Sequence, residues 1–259
     1  MRICRKVSAI WISLVMLFQF SILGCAEGVW GLKMLRPNSI SLMYHKISEN
    51  PAEQNAFCIS PKEFEEDICY LKKQGYRFCT ASETKDLSKW EKCVFITFDD
   101  GYESDYLYAL PILEKYQAKA TFFIIGSSVG QGDHITKKQL VQLSQSPLVE
   151  IGNHSYELHN LTVDAIRAEF YSGNATKIVD DFRKNAFFLE TVTKKPVRSI
   201  SYPNGIWTPE IDCAMRTFGV VMTFTSNETT IKEFDKPCGR FNRFSGRDIK
   251  NVIILREVI

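Results

Sequence analysis

The sequence predicts a single α/β domain with a mainly parallel, barrel-like sheet. Short runs of β-branched and aromatic residues alternate with segments of helical apolar spacing, and no repeat or internal linker interrupts them. Reactive side chains follow the predicted strands, which is where α/β barrels carry their chemistry. At 259 residues and 45% hydrophobic content, the chain is long enough for one large core.

The predicted strands are short apolar runs, and the predicted helices begin and end at recognisable caps. Strands are expected at 40–44, 94–98, 120–125, 148–151, 197–202 and 220–224. Helices are expected at 61–74, from Thr80, at 104–116, 136–144, 163–190 and 208–218, and after 245–248. The first helix has a capping box formed by Ser60 and Glu63 and stops at Gly75, whereas Pro111 and Gly173 weaken two others.

Residues 1–24 have the layout of a secretory signal, in which three basic residues precede an apolar stretch. The stretch closes with Ile-Leu-Gly-Cys, which resembles the bacterial lipobox, so Cys25 is the predicted acylation site of a lipoprotein. Cleavage after Ala26 and an uncleaved anchor are the alternatives. We expect an exported protein held at the cell-envelope membrane by a lipid anchor, with residues 25–38 as a tether and 39–259 as the folded domain.

The charge balance argues against nucleic acid as a partner. Lys and Arg number 32 and Asp and Glu 30, and three of the positive charges belong to the leader, so the body is close to neutral. Six of the eight cysteines lie in the body, and none forms a C-x-x-C pair, so a zinc ribbon is not expected. Either disulfides or small buried thiols fit this pattern, and the sequence predicts no pairing and no oligomeric state.

Two adjacent carboxylates, Asp99 and Asp100, end the predicted strand at 94–98. Adjacent side chains of an extended segment point in opposite directions, so one carboxylate can bind a metal while the other handles protons. The alternative is a solvated turn, because Asp-Gly commonly ends strands.

Two of the four histidines, His154 and His159, lie in a polar loop at 153–160. Their spacing does not fit one face of a helix, since it turns the second side chain by about 140°. From a loop, both can reach one ion, and with a strand-end carboxylate they would form a set that suits catalytic zinc. Taken alone, such a pair is more often structural or exposed.

The combination of Thr-Phe-Asp-Asp-Gly at 97–101 with His154-Ser155 and a second histidine resembles the polysaccharide deacetylases, the NodB-homology group of carbohydrate esterase family 4. The histidine spacing, the Tyr-Pro-x-Gly at 202–205 and the early His45 resemble the branch that deacetylates poly-N-acetylglucosamine exopolysaccharide. The resemblance covers about residues 40–255. It implies a single-domain, distorted (β/α) barrel of the NodB-homology type, with 39–259 as the catalytic domain, and a divalent metal, usually zinc.

The resemblance also implies a role for each matching residue. The metal, Zn²⁺ or another divalent ion such as Co²⁺ or Ni²⁺, would be bound by Asp100, His154 and His159, with Asp99 as general base and His45 as general acid. A metal at such a site polarises the acetamide carbonyl and lowers the pKa of bound water toward about 7. The base takes the proton of the water, a backbone N–H stabilises the oxyanion, and the acid protonates the departing amine. For His45, a core histidine is the alternative.

Tyr102, Tyr202 and Trp207 are predicted to stack on sugar faces, although aromatic residues at these positions equally suit packing. The chain also departs from the family pattern. Asn204 stands where the branch usually has tyrosine, and no arginine clearly supports the base, Arg198 being too far upstream.

The predicted function is metal-dependent removal of N-acetyl groups from an N-acetylglucosamine-containing polysaccharide, with a poly-N-acetylglucosamine-like exopolysaccharide favoured. Peptidoglycan, chitin oligomers and acetyl-xylan are alternative substrates. A catalytically inactive sugar-binding module is a further alternative, against which the complete set of base and metal ligands argues. A zinc protease is not expected, because no H-E-x-x-H is present.

Overall fold

Eight short strands of the described residues form one parallel sheet. The computed structural model describes residues 39–83, 92–173, 175–228, 237–242 and 246–258. The strands, including a separate pair formed by β2 and β3, are β1 (Ile40–Tyr44), β2 (Lys46–Ile47), β3 (Cys58–Ile59), β4 (Arg77–Phe78), β5 (Cys93–Phe98), β6 (Ala120–Ile124), β7 (Val149–Asn153), β8 (Ser199–Ser201), β9 (Met222–Phe224) and β10 (Phe241–Asn242). The α-helices are α1 (Pro61–Lys73), α2 (Leu110–Tyr116), α3 (Lys137–Gln145), α4 (Val163–Tyr171), α5 (Ala175–Thr193), α6 (Pro209–Thr217) and α7 (Ile249–Val258).

The strand order is β10-β1-β5-β6-β7-β8-β9, with β4 beside β5. All pairings between these strands are parallel, so their carboxyl ends meet at one edge of the sheet. Cys238 pairs with Phe224 at the end of β9, and Phe241 pairs with Leu42 of β1. Residues 237–242 thus connect the two edges, and the sheet curls into an incomplete barrel, which confirms the predicted fold class.

Strand β5 alternates between two hydrophobic cores. Ile96 and Phe98 pack with side chains of α1, α2 and α3, whereas Cys93 and Phe95 belong to a second cluster inside the curl of the sheet. Burial of each phenylalanine contributes about 1.5–3 kcal/mol. Because the side-chain period of a strand is two, the alternation places Asp99 on the same side as Phe95, toward the interior.

Helices α1 and α3 both begin at capping boxes, and the box ahead of α1 is the predicted one. Ser60 Oγ accepts from the Glu63 N–H at 3.2 Å, and the Glu63 carboxylate accepts from the Ser60 N–H at 3.0 Å. Thr136 and Gln139 form the same reciprocal pair ahead of α3. Each cap satisfies N–H groups that the first helical turn leaves unpaired.

Two predicted helices are interrupted. The segment expected as a helix at 104–116 contains a π-helical turn, Asp105–Ala109, ahead of α2, since Pro111 has no N–H to donate into the preceding turn. The segment expected at 163–190 is two helices, α4 and α5, separated at Gly173, whose φ is +76°. A left-handed φ suits glycine and ends the helix there.

Several predicted features lie outside the described residues: the leader at 1–24, the tether at 25–38 and the acylation site Cys25. The helix expected from Thr80 also runs into residues 84–91, which are outside the described ranges. Among the described residues, no helix combines the length and apolar character needed to cross a membrane. The six cysteines of the body are all free thiols.

Candidate active site

The carboxyl ends of the strands enclose a cavity of about 780 Å³. Its lining includes five residues singled out from the sequence as catalytic or metal-binding, namely His45, Asp99, Asp100, His154 and His159. They reach the cavity from the ends of β1, β5 and β7 and from the loop that follows β7. Residues spread over more than a hundred positions of the chain therefore share one site because parallel strands end at one edge of the sheet.

The ring of His154 is oriented by a backbone hydrogen bond. Its Nδ1 lies 2.8 Å from the Ser201 carbonyl oxygen, which only accepts, so Nδ1 carries the proton. The Nε2 atom then presents a lone pair 3.5 Å from Asp100 Oδ1 and 3.7 Å from Asp99 Oδ2. Burial lowers the pKa of His154, but the two carboxylates outweigh it and raise the pKa overall. The arrangement requires a proton or a metal cation at Nε2.

His159 completes a donor set with His154 and Asp100. Its Nε2 is buried and has no hydrogen-bond partner among the described residues. One ligand atom from each of the three residues lies within 4.8 Å of the others. Burial lowers the pKa of His159 to about 3, so the ring is neutral at ordinary pH, the form in which imidazole binds metals. An orphaned buried nitrogen beside a lone pair and a carboxylate fits a divalent cation.

Two non-glycine residues that follow β5 and β7 hold a left-handed backbone. Asp100 has a φ of +75°, and Ser155, which follows the first histidine, has a φ of +70°. Such conformations cost about 1–3 kcal/mol each and persist where the surrounding structure enforces them. At Asp100 the left-handed turn leads directly into Gly101, whose φ is +79°. These two consecutive left-handed residues turn the chain sharply after the strand, and glycine adopts this conformation without strain.

Helix α5 holds the loop that carries the two histidines. The carboxylate of Asp181 accepts from the N–H groups of Tyr156 at 2.7 Å and Glu157 at 3.0 Å. Asn185, also on α5, donates to the Ile124 carbonyl oxygen at 2.8 Å. Helix α5 therefore holds the loop between His154 and His159 through hydrogen bonds to its backbone.

Asp99 lies in a different environment, in which both carboxylate oxygens are hydrogen-bonded. Arg240 donates to Oδ1 at 2.6 Å and to Oδ2 at 2.7 Å, and the Ser201 hydroxyl donates to Oδ2 at 3.1 Å. Arg240 is 1% exposed and also donates to the Thr97 hydroxyl and the Thr225 carbonyl oxygen. Burial raises the pKa of Asp99, but the charges of Arg240 and the nearby histidine outweigh it and hold the pKa well below its usual range.

Arg240 is the supporting arginine that sequence reasoning did not find. Arg198, considered for that role, is exposed and lies immediately before β8. The available signal is the run Cys-Gly-Arg-Phe at 238–241, where a single arginine stands among residues that favour burial. Charged groups are buried in such a run only when they are paired, as Arg240 is here.

His45 lines the cavity with its ring edge-on to Phe57, at 5.2 Å between ring centroids. Its Nδ1 is buried and has no hydrogen-bond partner among the described residues. Burial lowers the pKa of His45, and the charges of Asp99 and Asp100 partly offset that effect. The ring of His45 therefore lines the cavity with a buried nitrogen to which no described residue bonds.

The three predicted sugar-stacking aromatics are placed differently. Tyr102 lines the cavity and stacks on His134, with 5.0 Å between ring centroids. Tyr202 borders the cavity, but it is 1% exposed and its hydroxyl donates to Asp212 at 2.9 Å. Trp207 packs against the buried cluster that contains Tyr202, and it is not among the described residues that line the cavity. Tyr202 thus belongs to the core and Trp207 packs on its edge, while sugar stacking by the three aromatic residues stays a prediction.

The chain is similar to known polysaccharide deacetylases. A model of the polysaccharide deacetylase family matches residues 87–223. The Bacillus subtilis (strain 168) protein YxkH, provisionally named as a polysaccharide deacetylase, is 36% identical over 193 residues, which are 71% of this chain and 63% of YxkH. The chain thus spans less than two thirds of that relative. The poly-beta-1,6-N-acetyl-D-glucosamine N-deacetylase of Staphylococcus aureus (strain N315) is 28% identical over 221 residues, 77% of this chain and 76% of that protein.

Solved structures show the same architecture. IcaB from Ammonifex degensii superposes with a TM-score of 0.72 at 26% identity, covering 85% of this chain and 97% of IcaB. A de-N-acetylase from Aggregatibacter actinomycetemcomitans superposes with a TM-score of 0.72 at 22% identity, covering 83% of this chain and 99% of the other, and shows the shared fold.

Proposed function

The chain belongs to the polysaccharide deacetylase family, and on this premise we propose that it removes N-acetyl groups from an N-acetylglucosamine-containing polysaccharide. The observation that carries the proposal is the Asp100, His154 and His159 donor set beside the Asp99–Arg240 pair in one cavity. A metal-binding group and an ionised carboxylate within reach of one another are the two parts that metal-assisted amide hydrolysis needs.

Asp100, His154 and His159 would hold a divalent cation, with Zn²⁺ preferred and Co²⁺ or Ni²⁺ as substitutes, since mixed imidazole and carboxylate donors suit these ions. Such a cation polarises a carbonyl group and acidifies a water molecule. The Ser201 carbonyl oxygen keeps the His154 ring in the tautomer that leaves Nε2 free for the cation.

Asp99 acts as the general base in this proposal. The Arg240 guanidinium keeps the carboxylate ionised at neutral pH, so it is in the form that accepts a proton from water. The same two hydrogen bonds fix its orientation, because a bidentate arginine constrains both carboxylate oxygens. Proton transfer by a positioned group of this kind contributes about 10²–10⁴-fold to the rate.

His45 is the proposed general acid, and a backbone N–H after β8 is the proposed oxyanion donor. His45 gives a proton to the departing amine, because an amide anion is a very poor leaving group. In the turn after β8, the N–H groups of Tyr202 and Gly205 already donate to carbonyl oxygens and Pro203 has none. The N–H of Asn204, a residue with a left-handed φ of +52°, is left as the donor for the oxyanion.

The substrate that we favour is a β-1,6-linked N-acetylglucosamine polymer at the cell envelope. Support comes from the Staphylococcus aureus relative, whose name specifies that polymer and of which this chain covers 76%. Export and anchoring through an acylated Cys25 complete the proposal, since they place the enzyme where such a polymer is found.

The proposal is tested by mass spectrometry of β-1,6- and β-1,4-linked N-acetylglucosamine oligomers and of acetyl-xylan oligomers after incubation with the full-length protein. The protein is stripped with a chelator and reloaded with Zn²⁺, Co²⁺ or Ni²⁺, and an Asp100→Ala variant serves as the inactive control. We expect acetyl loss from the β-1,6 series only with metal present. Acetyl loss from the β-1,4 series or from acetyl-xylan instead would identify that polymer as the substrate. If no oligomer loses acetyl groups, a sugar-binding module is favoured.

A further inference from the structure

A surface rich in basic residues lies at the edge of the sheet opposite the cavity. Residues 72–77, between α1 and β4, and residues 194–198, between α5 and β8, contain no Asp or Glu. Arg77 pairs with Cys93, the first residue of β5, and Arg198 immediately precedes β8, so both segments lie where the parallel strands begin. The two segments form the basic edge, whose charged side chains are all exposed: Lys72, Lys73, Arg77, Lys194, Lys195 and Arg198.

Two lysines extend the basic edge across the ends of the intervening helices. Lys72 donates to the Tyr116 carbonyl oxygen at 2.7 Å, at the end of α2. Lys195 donates to the Ser144 carbonyl oxygen, in the last turn of α3. Helices α2 and α3 precede β6 and β7, the strands that lie between β5 and β8 in the sheet. The basic groups therefore follow the starts of four neighbouring strands.

The cavity edge of the sheet has the opposite charge. Acidic residues follow β2, β5, β6 and β7, namely Glu49, Glu53, Glu103, Asp133 and Glu157. The near-neutral balance of the whole body thus conceals a separation of charge between the two edges. A molecule with such a separation turns its basic end toward a negatively charged surface.

Stabilisation of helix ends explains only part of the basic edge. Cations in the last turn of a helix interact favourably with the helix dipole, and Lys72 and Lys73 end α1 in this way. The effect falls off beyond the last turn, and Arg77 and Arg198 lie four and five residues past the ends of α1 and α5. The charge of these two arginines therefore calls for a different explanation.

An exposed aromatic ring lies beside these charges. Phe218, between α6 and β9, is 55% exposed, and the Arg183 guanidinium lies 5.0 Å from the centre of its ring. The Val221 N–H donates to the Arg198 carbonyl oxygen at 2.8 Å, so the segment after α6 adjoins the basic edge. Basic groups next to an exposed phenylalanine are typical of surfaces that lie on anionic bilayers.

We propose that the basic edge, together with Phe218, docks on a membrane surface rich in anionic phospholipid headgroups. Lipid phosphates accept hydrogen bonds from lysine and arginine and attract their charge. The inference rests on the proposed export and lipid anchoring and adds an orientation to them. Because the sheet is parallel, docking by the strand starts turns the cavity away from the bilayer, toward a polymer outside the membrane. Residue 39, which follows the predicted tether and precedes β1, lies at the same edge.

The test measures how fast each lysine of the full-length protein is acetylated by sulfosuccinimidyl acetate, using peptide mass spectrometry. The protein is bound to vesicles of phosphatidylcholine or of phosphatidylcholine and phosphatidylglycerol in equal parts. On the anionic vesicles we expect Lys72, Lys73, Lys194 and Lys195 to react about threefold more slowly or less, and the difference should vanish at about 1 M salt. Lys137 and Lys138, exposed at the start of α3 on the cavity edge, are internal controls and should react equally on both vesicles.

A charge reversal sharpens the test. Arg77→Glu/Arg198→Glu should abolish the protection of the four lysines. The matched control Arg167→Glu/Lys177→Glu makes the same change in net charge outside the basic edge and should keep it. The comparison of lipids and salt in the wild type decides the matter even if the first variant does not fold. Equal reaction on both vesicles, or protection of the control lysines instead, overturns the proposal.

Further outcomes separate the docking surface from the other proposals. If dextran sulfate in solution protects the four lysines and anionic vesicles do not, the surface binds a soluble polyanion and the lipid assignment is wrong. If oligomers lose acetyl groups while the lysines are not protected, docking is wrong and the proposed function stands. Protection without acetyl loss leaves the docking surface and removes the function. If the protein sediments only with anionic vesicles, docking is supported without an anchor, and sedimentation with neither vesicle overturns both.

Discussion

Asp99 and Asp100 are neighbours in the chain but lie in opposite environments. Asp99 is 2% exposed, and both its oxygens accept hydrogen bonds from Arg240, so its charge is matched within the protein. Asp100 faces His154 and His159, and the buried Nε2 of His159 has no hydrogen-bond partner among the described residues. The first carboxylate is therefore satisfied within the protein, whereas the second belongs to a donor set that a proton or a metal cation would complete.

The largest expected effect comes from removing Asp100 from the donor set. Asp100→Ala removes the carboxylate ligand, so kcat/KM should fall by about 10³-fold or more, because a bound cation supplies several kcal/mol of charge stabilisation. Steady-state kinetics and elemental analysis of the purified variant should show activity and metal content falling together. Asp164→Ala, which removes a carboxylate whose side chain is 94% exposed, is the control and should retain both. Full activity in Asp100→Ala would contradict the metal assignment.

Substitution of Asp99 should act differently, lowering the catalytic rate while the protein keeps its metal. Asp99→Asn keeps the shape of the side chain and removes the proton acceptor, so kcat should fall by about 10²–10³-fold. Since Asp99 is not in the donor set, zinc affinity measured by calorimetry should stay within about threefold of the wild type. A variant that lost zinc to the same extent as Asp100→Ala would erase the distinction between the two carboxylates.

Removal of the charge partner tests whether Asp99 is balanced by Arg240. Arg240→Met leaves a buried carboxylate unpaired and should lower the free energy of unfolding by about 3 kcal/mol in urea denaturation. Combining it with Asp99→Asn should recover part of that loss, since the second change removes the unpaired charge. Arg198→Met, at an exposed position, should change stability by less than about 0.5 kcal/mol. Equal losses in the single and the double variant would mean that packing, not charge, accounts for the effect.

The two sides also differ in how far the sequence could predict them. The Asp-Asp strand end and the histidine loop are local patterns, and parallel strand order brings them together without further information. Arg240 lies 141 positions from Asp99, and the strand beside it, β10, has two residues, too few for a periodic pattern. The burial of Tyr202 likewise depends on its pairing with Asp212, which no spacing rule indicates.

The smallest expected effect comes from Asp181 of α5, which holds the loop between the two metal-site histidines. Asp181→Ala leaves the N–H groups of Tyr156 and Glu157 without their acceptor, so the loop becomes less ordered and zinc affinity should fall by about tenfold. Competition with a fluorescent zinc chelator measures the affinity directly. Asp180→Ala, next to it on α5 and with a side chain that is 62% exposed, controls for the loss of one negative charge near the site and should leave the affinity unchanged.

If both variants weaken zinc binding equally, the effect is electrostatic and the loop is held by other contacts. If only Asp181→Ala weakens zinc binding, zinc affinity depends on hydrogen bonds that hold the loop and do not touch a metal ligand. Asp99 differs, because Arg240 and Ser201 donate directly to its carboxylate.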